Sequence, residues 1–483
     1  MNINQADVVV VGSGAAGATV AGEALRDGRS VILIEAGQDA GSGRPGRHLR
    51  NDAPSDDQLD DFAQIMGRGL VNHGGVKEQR GDVARFTTVH AVGGRMTLWF
   101  NNCPEPDVDE RNSAIPSDAW PELLGRARKL LLVRDRLAPG SVREARLLDR
   151  MRAFLPPLPA GREAQPMPTA AVTENGQIRF AGSDDILLGD LDASPPTLHI
   201  RGGTIARRIV TRGGYVTGIE VQSAGGGPVE VVSGASYVIA GGTVGTPQLL
   251  FASGMDSPAL GAYMMDHPMF ATRVQLDPEL LRGVDEDDPS FSVWVPYSRD
   301  RKWHTQFSRT PYLADTPGVP TRLTGDLIYF SGSTPRPENR LTFDPNRLDE
   351  FGLPVHESTF SPNESDWSIV SDMVAEHFQM CRAIGIDGEG WRPLLGPWGT
   401  SLHLMGTYRM GSADDGTSVA DSDSRVWGFD NLYVGGNGLL SERNSCNPTL
   451  QTVALALRSA DHILSRRSRE QRVDAAVAAG SLH

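Results

Sequence analysis

The sequence predicts an α/β fold in which a parallel-sheet domain is interleaved with an α+β domain built on an antiparallel sheet. Three observations predict it. The chain opens with a β-branched run, Asp7 to Val11, then a glycine-rich turn, an Ala/Leu-rich helical stretch through Leu25 and a second apolar strand, Ser30 to Glu35. It closes with a short apolar strand, Leu432 to Val434, and a helix whose apolar positions Leu450, Val453, Ala454, Leu457, Ala460 and Leu464 recur at three- and four-residue steps. Between them lie short strand-like runs punctuated by turn residues, from Leu198 to Ala240 and again around Ser292 to Val295 and Asp326 to Phe330. A strand–helix–strand opening calls for parallel pairing, whereas short runs with regular turns read as antiparallel.

The opening carries the chemistry of a dinucleotide site. Gly12-Ser13-Gly14-Ala15-Ala16-Gly17 follows the first strand at once, and Glu35 ends the second strand 18 residues after Gly17. Gly12 permits a tight turn, Gly14 lets backbone N–H groups approach a pyrophosphate, and Gly17 lets helix lie close on strand. Glu35 is placed to accept hydrogen bonds from an adenosine ribose, and its charge repels a 2′-phosphate. The domain is therefore Rossmann-type, with FAD or NAD as its cofactor rather than NADP.

The length of 483 residues suggests two domains with a large core. Hydrophobic and charged fractions of 39% and 22% are those of a soluble globular chain, and a net charge of −14 argues against a nucleic-acid partner. Cys103, Cys381 and Cys446 are odd in number and widely spaced, which suggests neither a disulfide framework nor a metal site. No basic leader or membrane-length apolar run is evident, so the expectation is a cytoplasmic protein without membrane partners. Asp39 to Gly81 is rich in Gly, Pro, Asp and Arg and reads as a surface excursion, and the tail from Ser465 reads as a frayed end.

Two polar residues near the C-terminus stand apart. His403 sits in a loop of Gly, Ser and Thr, and Asn447-Pro448 opens the last helix 44 residues later. An imidazole and a carboxamide so presented can hold a substrate hydroxyl between a base and a hydrogen-bonding partner. From spacing alone Asn447 also reads as an N-cap, with Pro448 at the first helical position. A lone loop histidine is likewise more often ordinary than catalytic.

The ordered run His403-Leu-Met-Gly406-Thr407-Tyr-Arg409-Met410-Gly411, Asp423-Ser-Arg425-Val426, Asn431-Leu432-Tyr433-Val434 and Asn447-Pro448-Thr449-Leu450 resembles the C-terminal block of the glucose-methanol-choline oxidoreductases. Within that family it is most similar to the pyranose oxidases. The resemblance extends from Asp7 to Leu464 and includes Gly93-Gly94-Arg95-Met96-Thr97-Leu98-Trp99, Gly241 to Leu250, Asp266-His267-Pro268 and Trp303 to Thr310. It implies His403 as base and Asn447 as its partner. It implies that FAD is held by Gly12, Ser13, Gly14, Ala15, Ala16, Gly17, Glu35, Gly93, Gly94, Thr97, Leu98, Asn101, Ala206, Gly241, Thr246, Gly436, Asn437, Pro448 and Thr449. Where pyranose oxidases carry the histidine that bonds to the flavin, this chain has Leu98, so the cofactor is expected to be non-covalent. Gln306 matches a sugar-binding glutamine, with Ser308 and Thr310 where those oxidases carry His and Asp. His267 reads as structural.

The resemblance further implies an FAD-binding domain from residues 1–120, 196–268 and 399–467, a peripheral segment 121–195, a substrate-binding domain 269–398 and a tail 468–483. The expected activity is oxidation of a ring hydroxyl of a pyranose or glycoside to a ketosugar, at C2 or C3, with oxygen or another acceptor regenerating the flavin. Oxidation of a primary alcohol on an aminoglycoside or other natural product is the alternative. A hydroxynitrile lyase and a non-catalytic FAD-binding protein are the readings from other classes.

Overall fold

The computed structural model describes residues 4–41, 43–52, 71–72, 81–83, 87–137, 140–174, 177–192, 195–285, 288, 292–308, 323–386 and 393–478. Its first sheet is parallel at the centre. Leu198–Arg201, Val31–Ile34, Gln5–Val11, Glu230–Ile239 and Leu432–Val434 lie side by side in that order, each parallel to the next. Val8, Val9 and Val10 are wholly buried, as are Val31 to Leu33, because helices and loops cover both faces. The antiparallel hairpin Thr204–Arg212 and Tyr215–Ser223 extends the sheet by pairing with the first half of Glu230–Ile239. That strand thus serves three neighbours, Tyr215–Ser223 at its start and Gln5–Val11 and Leu432–Val434 further along. Leu198–Arg201, expected with the antiparallel hairpins, is instead the parallel edge strand beside Val31–Ile34. Its short alternating sequence carries no signal of direction, which only the long crossover before it decides.

The helix Ala15–Arg26 lies under this sheet and against the C-terminal helix Thr449–Ala478. Leu450, Val453, Ala454, Leu457 and Ala460 are buried in the same core, as their periodicity predicts. The residues beyond Ser465, expected as a frayed end, continue this helix to Ala478. Arg, Glu, Gln and Ala dominate there, and all four are good helix formers that need no apolar periodicity to stay helical.

The second sheet is antiparallel, in the order Leu394–Leu395, Met269–Gln275, Thr324–Ser331, Trp303–Ser308, Val293–Val295 and Gln165–Pro166. The helix Glu364–Ile384 covers one face, burying Ile369, Met373, Met380 and Ile384 against Phe270, Leu327 and Tyr329. Asp266-His267-Pro268 is the junction at which the chain passes from the first sheet into Met269–Gln275. Within residues 121–195, Val133–Arg134, Thr169–Glu174 and Gln177–Phe180 form a small antiparallel sheet, and the helices pack outward. Trp120–Leu130 lies on the C-terminal helix, Val142–Phe154 lies on Glu364–Ile384, and Ser183–Leu187 lies on Ala15–Arg26.

Candidate functional site

Val11 leaves the first sheet into Gly12, whose φ of +95° suits glycine alone, and a Cβ there would sit 2.3 Å from the Ala240 carbonyl oxygen. A Cβ on Gly17 would sit 1.8 Å from the Gly12 carbonyl oxygen, so helix and strand meet without side chains between them. Gly14, by contrast, precedes the first turn of Ala15–Arg26 and would meet no atom within 4 Å. Open space therefore stands in front of the free N–H groups of a helix start, which is where an anion is held.

Glu35 closes the other side of this cradle. Its carboxylate accepts from Ser13 N at 3.0 Å, Ser13 Oγ at 2.6 Å and Gly37 N at 3.0 Å. Burial raises its pKa and the three donors pull it back, so the anion is held by hydrogen bonds rather than by solvent. Ser13 Oγ in turn accepts from Gly93 N at 2.7 Å, and Gly94 comes so near that its Cβ would lie 3.2 Å from Gly14 Cα. The second glycine pair thus closes over the first.

From this cradle a cavity of about 560 Å³ runs to the C-terminal pair. Gly12 to Ala16, Glu35, Gly94, Leu98, Asn101, Ala206, Gly241, Gly436, Asn437, Pro448 and Thr449 line it, as do His403, Asn447, Gln306 and Ser308. Gly17, Gly93, Thr97 and Thr246 do not: Gly17 spaces helix from strand, Gly93 braces Ser13, Thr97 Oγ1 donates to the Gly94 carbonyl at 2.9 Å, and Thr246 is buried within Gly242–Ala252. Thr310 lies outside the described residues. The stretch expected as a surface excursion contributes to this wall. His48 and Leu49 are buried, and Arg50, which lines the cavity, lies 3.6 Å from the Phe180 ring centroid and donates to Asn101 Oδ1 at 2.8 Å. A 3₁₀ turn, too short to show periodicity, turns these residues inward. Burial lowers the Arg50 pKa to about 9.

The far end belongs to His403. The loop before it turns at Gly399 (φ +90°) and Leu402 (φ +62°), and Asp266 anchors it by accepting from Gly399 N at 2.6 Å and from Ser401 Oγ. Ser401 Oγ accepts from His403 N at 3.0 Å. Arg95 donates to the Leu402 and Thr87 carbonyls, tying the loop to the glycine pair. The His403 Nε2 atom stands 3.5 Å from Asn447 Nδ2, and its Nδ1 stands 3.1 Å from His267 Nδ1. Burial, then His267, Arg95 and His304, hold the His403 pKa well below the usual histidine value. The ring is therefore neutral, and a base, at neutral pH.

Asn447 does not cap the last helix. The helix begins at Thr449, Pro448 supplies the first carbonyl by accepting from Thr452 N at 2.9 Å, and Asn447 Oδ1 is buried with no partner among the described residues. Proline at the cap, rather than at the first helical position, leaves the carboxamide free to face the cavity. Buried Glu110 positions the segment before it, accepting from Ser445 N at 2.7 Å and Cys446 N at 3.1 Å, with a pKa raised to about 7 by burial.

Sequence reasoning gives Asp266 and His267 only as a junction motif, with His267 structural, and gives Glu110 and Asn102 no role. Asn102 Nδ2 donates to Gln306 Oε1 at 2.8 Å and so orients that amide from across the two sheets. The Asp-His-Pro junction was visible as a motif. Glu110 and Asn102 carried no signal, because their partners lie 335 and 204 residues away. No group of three or more His, Cys, Asp or Glu residues suited to a metal ion occurs among the described residues.

A cradle that keeps space before a helix start, a buried carboxylate at the end of the second strand and a long cavity together fit FAD. Comparison with known proteins agrees. Residues 7–45 match the FAD-binding domain family, and residues 172–269 and 335–456 match the two GMC oxidoreductase families. A C-glycoside 3-oxidase from Microbacterium trichothecenolyticum is 30% identical over 95% of this chain and 96% of its own, and one from Arthrobacter globiformis is 31% identical over 95% and 94%. A pyranose 2-oxidase from Tricholoma matsutake is 29% identical over 86% and 78%. Among solved structures, pyridoxine 4-oxidase from Mesorbium loti shares the fold with a TM-score of 0.63 at 18% identity, covering 94% of this chain and 98% of that one. A formate oxidase variant from Aspergillus oryzae does so with a TM-score of 0.73 at 15% identity, covering 96% and 99%. With both GMC families matched along one chain, and near-full-length relatives at 30% identity, this protein is an FAD-dependent enzyme that belongs to the GMC oxidoreductase family.

Proposed function

We propose that the protein oxidises a ring hydroxyl of a pyranose or glycoside to a ketone, at C2 or C3, using His403 as base and Asn447 as the partner that holds the reacting oxygen. The observation that carries this reading is the neutral His403–Asn447 pair on the wall of the cavity that begins at the glycine cradle. FAD, when bound, supplies the hydride acceptor. Glu35 would hold the ribose, the start of Ala15–Arg26 the pyrophosphate, and the start of the last helix the electron-rich edge of the flavin. The hydroxyl proton passes to His403 Nε2 while the Asn447 amide donates to the same oxygen. Gln306, fixed by Asn102, and Ser308 offer polar contacts to the remaining hydroxyls. The C-glycoside 3-oxidases and pyranose 2-oxidases among the relatives support a sugar or glycoside as substrate. Oxygen or another acceptor then reoxidises the cofactor, and a cytoplasmic setting suits three buried, unbridged cysteines.

One observation favours a second reading. A 6'''-hydroxyparomomycin C oxidase from Streptomyces lividus is 25% identical over 95% of this chain, which supports a primary alcohol of an aminoglycoside as the alternative substrate. The test is anaerobic mixing with a panel of sugars, C-glycosides and aminoglycosides, with product position assigned by NMR. Bleaching of the flavin by a sugar or glycoside supports the proposal, and bleaching by aminoglycosides alone supports the second reading. Cleavage of a cyanohydrin without bleaching would point to a lyase, and no response to any compound to a binding protein.

A further inference from the structure

We propose that His267 is a positioning residue that fixes the tautomer of His403 and so decides which ring nitrogen meets the substrate. The inference rests on the reading of His403 as base. The Nδ1 atoms of the two rings lie 3.1 Å apart, and the rings meet edge to face with centroids 4.9 Å apart. Two lone pairs cannot face each other at that distance, so one Nδ1 carries a proton and the other accepts it.

The surroundings decide which. Asn447 Nδ2 is a donor and lies 3.5 Å from His403 Nε2, so that nitrogen accepts and the His403 proton sits on Nδ1. His403 Nδ1 then donates to His267 Nδ1, and the His267 proton sits on Nε2, which has no partner among the described residues. His267 Nδ1 is thus a lone pair that holds the His403 proton on Nδ1. What is left on His403 Nε2 is a lone pair, on the side facing Asn447 and the cavity. In the opposite tautomer Nε2 would carry a proton and could not accept one.

His267 is suited to this task because burial keeps it neutral, and a neutral imidazole keeps one nitrogen free to accept. It is 2% exposed, and burial pushes its pKa to about 4. Phe330 walls in all three histidines, its ring centroid lying 5.5 Å from His403, 5.6 Å from His267 and 5.7 Å from His304. In the reaction the hydroxyl proton moves to His403 Nε2. The Nδ1 proton stays in place, and its hydrogen bond to His267 takes up part of the new positive charge.

The test compares His267→Asn, His267→Gln and His267→Leu by anaerobic stopped-flow flavin reduction, with the glycoside found to bleach the wild-type flavin. Asn Oδ1 occupies nearly the place of histidine Nδ1, whereas the longer Gln side chain puts its oxygen nearer the place of Nε2. The expected result is a limiting rate reduced roughly 10²- to 10⁴-fold in the Gln and Leu variants, the scale of a mis-set catalytic tautomer or lost general base. Substrate half-saturation and FAD content should hold, and the Asn variant should recover most of the rate. Equal slowing in all three variants, or wild-type rates in the Gln variant, would overturn the proposal even where Leu fails to fold. His403→Ala, measured beside them, separates the two ideas. If it is slow while every His267 variant is fast, only the tautomer argument falls; if it is itself fast, the base reading falls with it.

Discussion

Replacing Glu35 by Gln changes one oxygen to an NH₂ group and keeps the shape, which makes it a sharp probe of the cofactor cradle. The wild-type carboxylate uses both oxygens as acceptors, Oε2 for Ser13 N and Ser13 Oγ and Oε1 for Gly37 N. An amide offers one acceptor oxygen, so its NH₂ must confront either the Ser13 or the Gly37 N–H. A buried donor left without an acceptor costs about 1–3 kcal/mol, and ribose hydroxyls directed at the same carboxylate would lose a charge-assisted bond of similar size. If the cost falls on the bound state, FAD affinity should drop about 5- to 140-fold, since 1.4 kcal/mol is tenfold in an equilibrium constant. Fluorescence quenching on titrating FAD into the apoprotein measures this directly, with thermal unfolding of the same apoprotein as control. Wild-type affinity in the Gln variant would refute the assignment of Glu35 to the ribose. A fall in apoprotein stability with affinity intact would mean that the carboxylate serves the Ser13 and Gly37 turns alone.

His403→Ala should slow anaerobic flavin reduction roughly 10²- to 10⁴-fold with FAD content near normal; stopped-flow absorbance checks it, and wild-type reduction would remove His403 from the chemistry. Asn447→Ala should slow reduction less and leave unfolding temperature nearly unchanged, because its Oδ1 holds no helix N–H; a loss of stability with full turnover would return it to a cap. Acid precipitation should release FAD into the supernatant, since Leu98 cannot form a histidyl bond; yellow colour retained on the polypeptide would contradict this. Because burial and the neighbouring His267, Arg95 and His304 lower the His403 pKa well below 6.5, the base is already neutral at that pH. The limiting reduction rate should therefore be flat from pH 6.5 upward and fall only in more acidic buffer, and a rate still rising above pH 6.5 would show a base of higher pKa.

What the sequence disclosed depended on whether the signal was local. The cradle was legible because Gly12, Gly14, Gly17 and Glu35 each answer to a neighbour in the chain or to the cofactor at a fixed spacing. Periodicity likewise located the last helix to within its first turn. Direction of pairing was not legible for Leu198–Arg201, because side-chain alternation is the same in parallel and antiparallel strands. Spacing left Asn447 open to the reading of a cap, whereas Pro448 occupies the cap itself. His267 read as a structural junction residue, since the ring it faces is brought from 136 positions away. Glu110 and Asn102 were silent for the same reason.

The threading of the first sheet sets an order on the protein's synthesis. Gln5–Val11 lies between Val31–Ile34 and Glu230–Ile239, and the latter waits in turn for Leu432–Val434. More than 400 residues separate the first of these strands from the last. At about 5–20 residues per second, the ribosome needs roughly 20–80 s to deliver the final strand after the first has emerged. Throughout that interval the glycine cradle exists without its far wall, because His403, Gly436 and Asn447 have yet to be made or are still in the exit tunnel. The cavity is therefore complete only when the chain is essentially finished. A truncation before Leu432 removes no peripheral piece: it leaves a sheet with an open edge and half a cavity, a product for the chaperone and protease systems rather than a weakened enzyme.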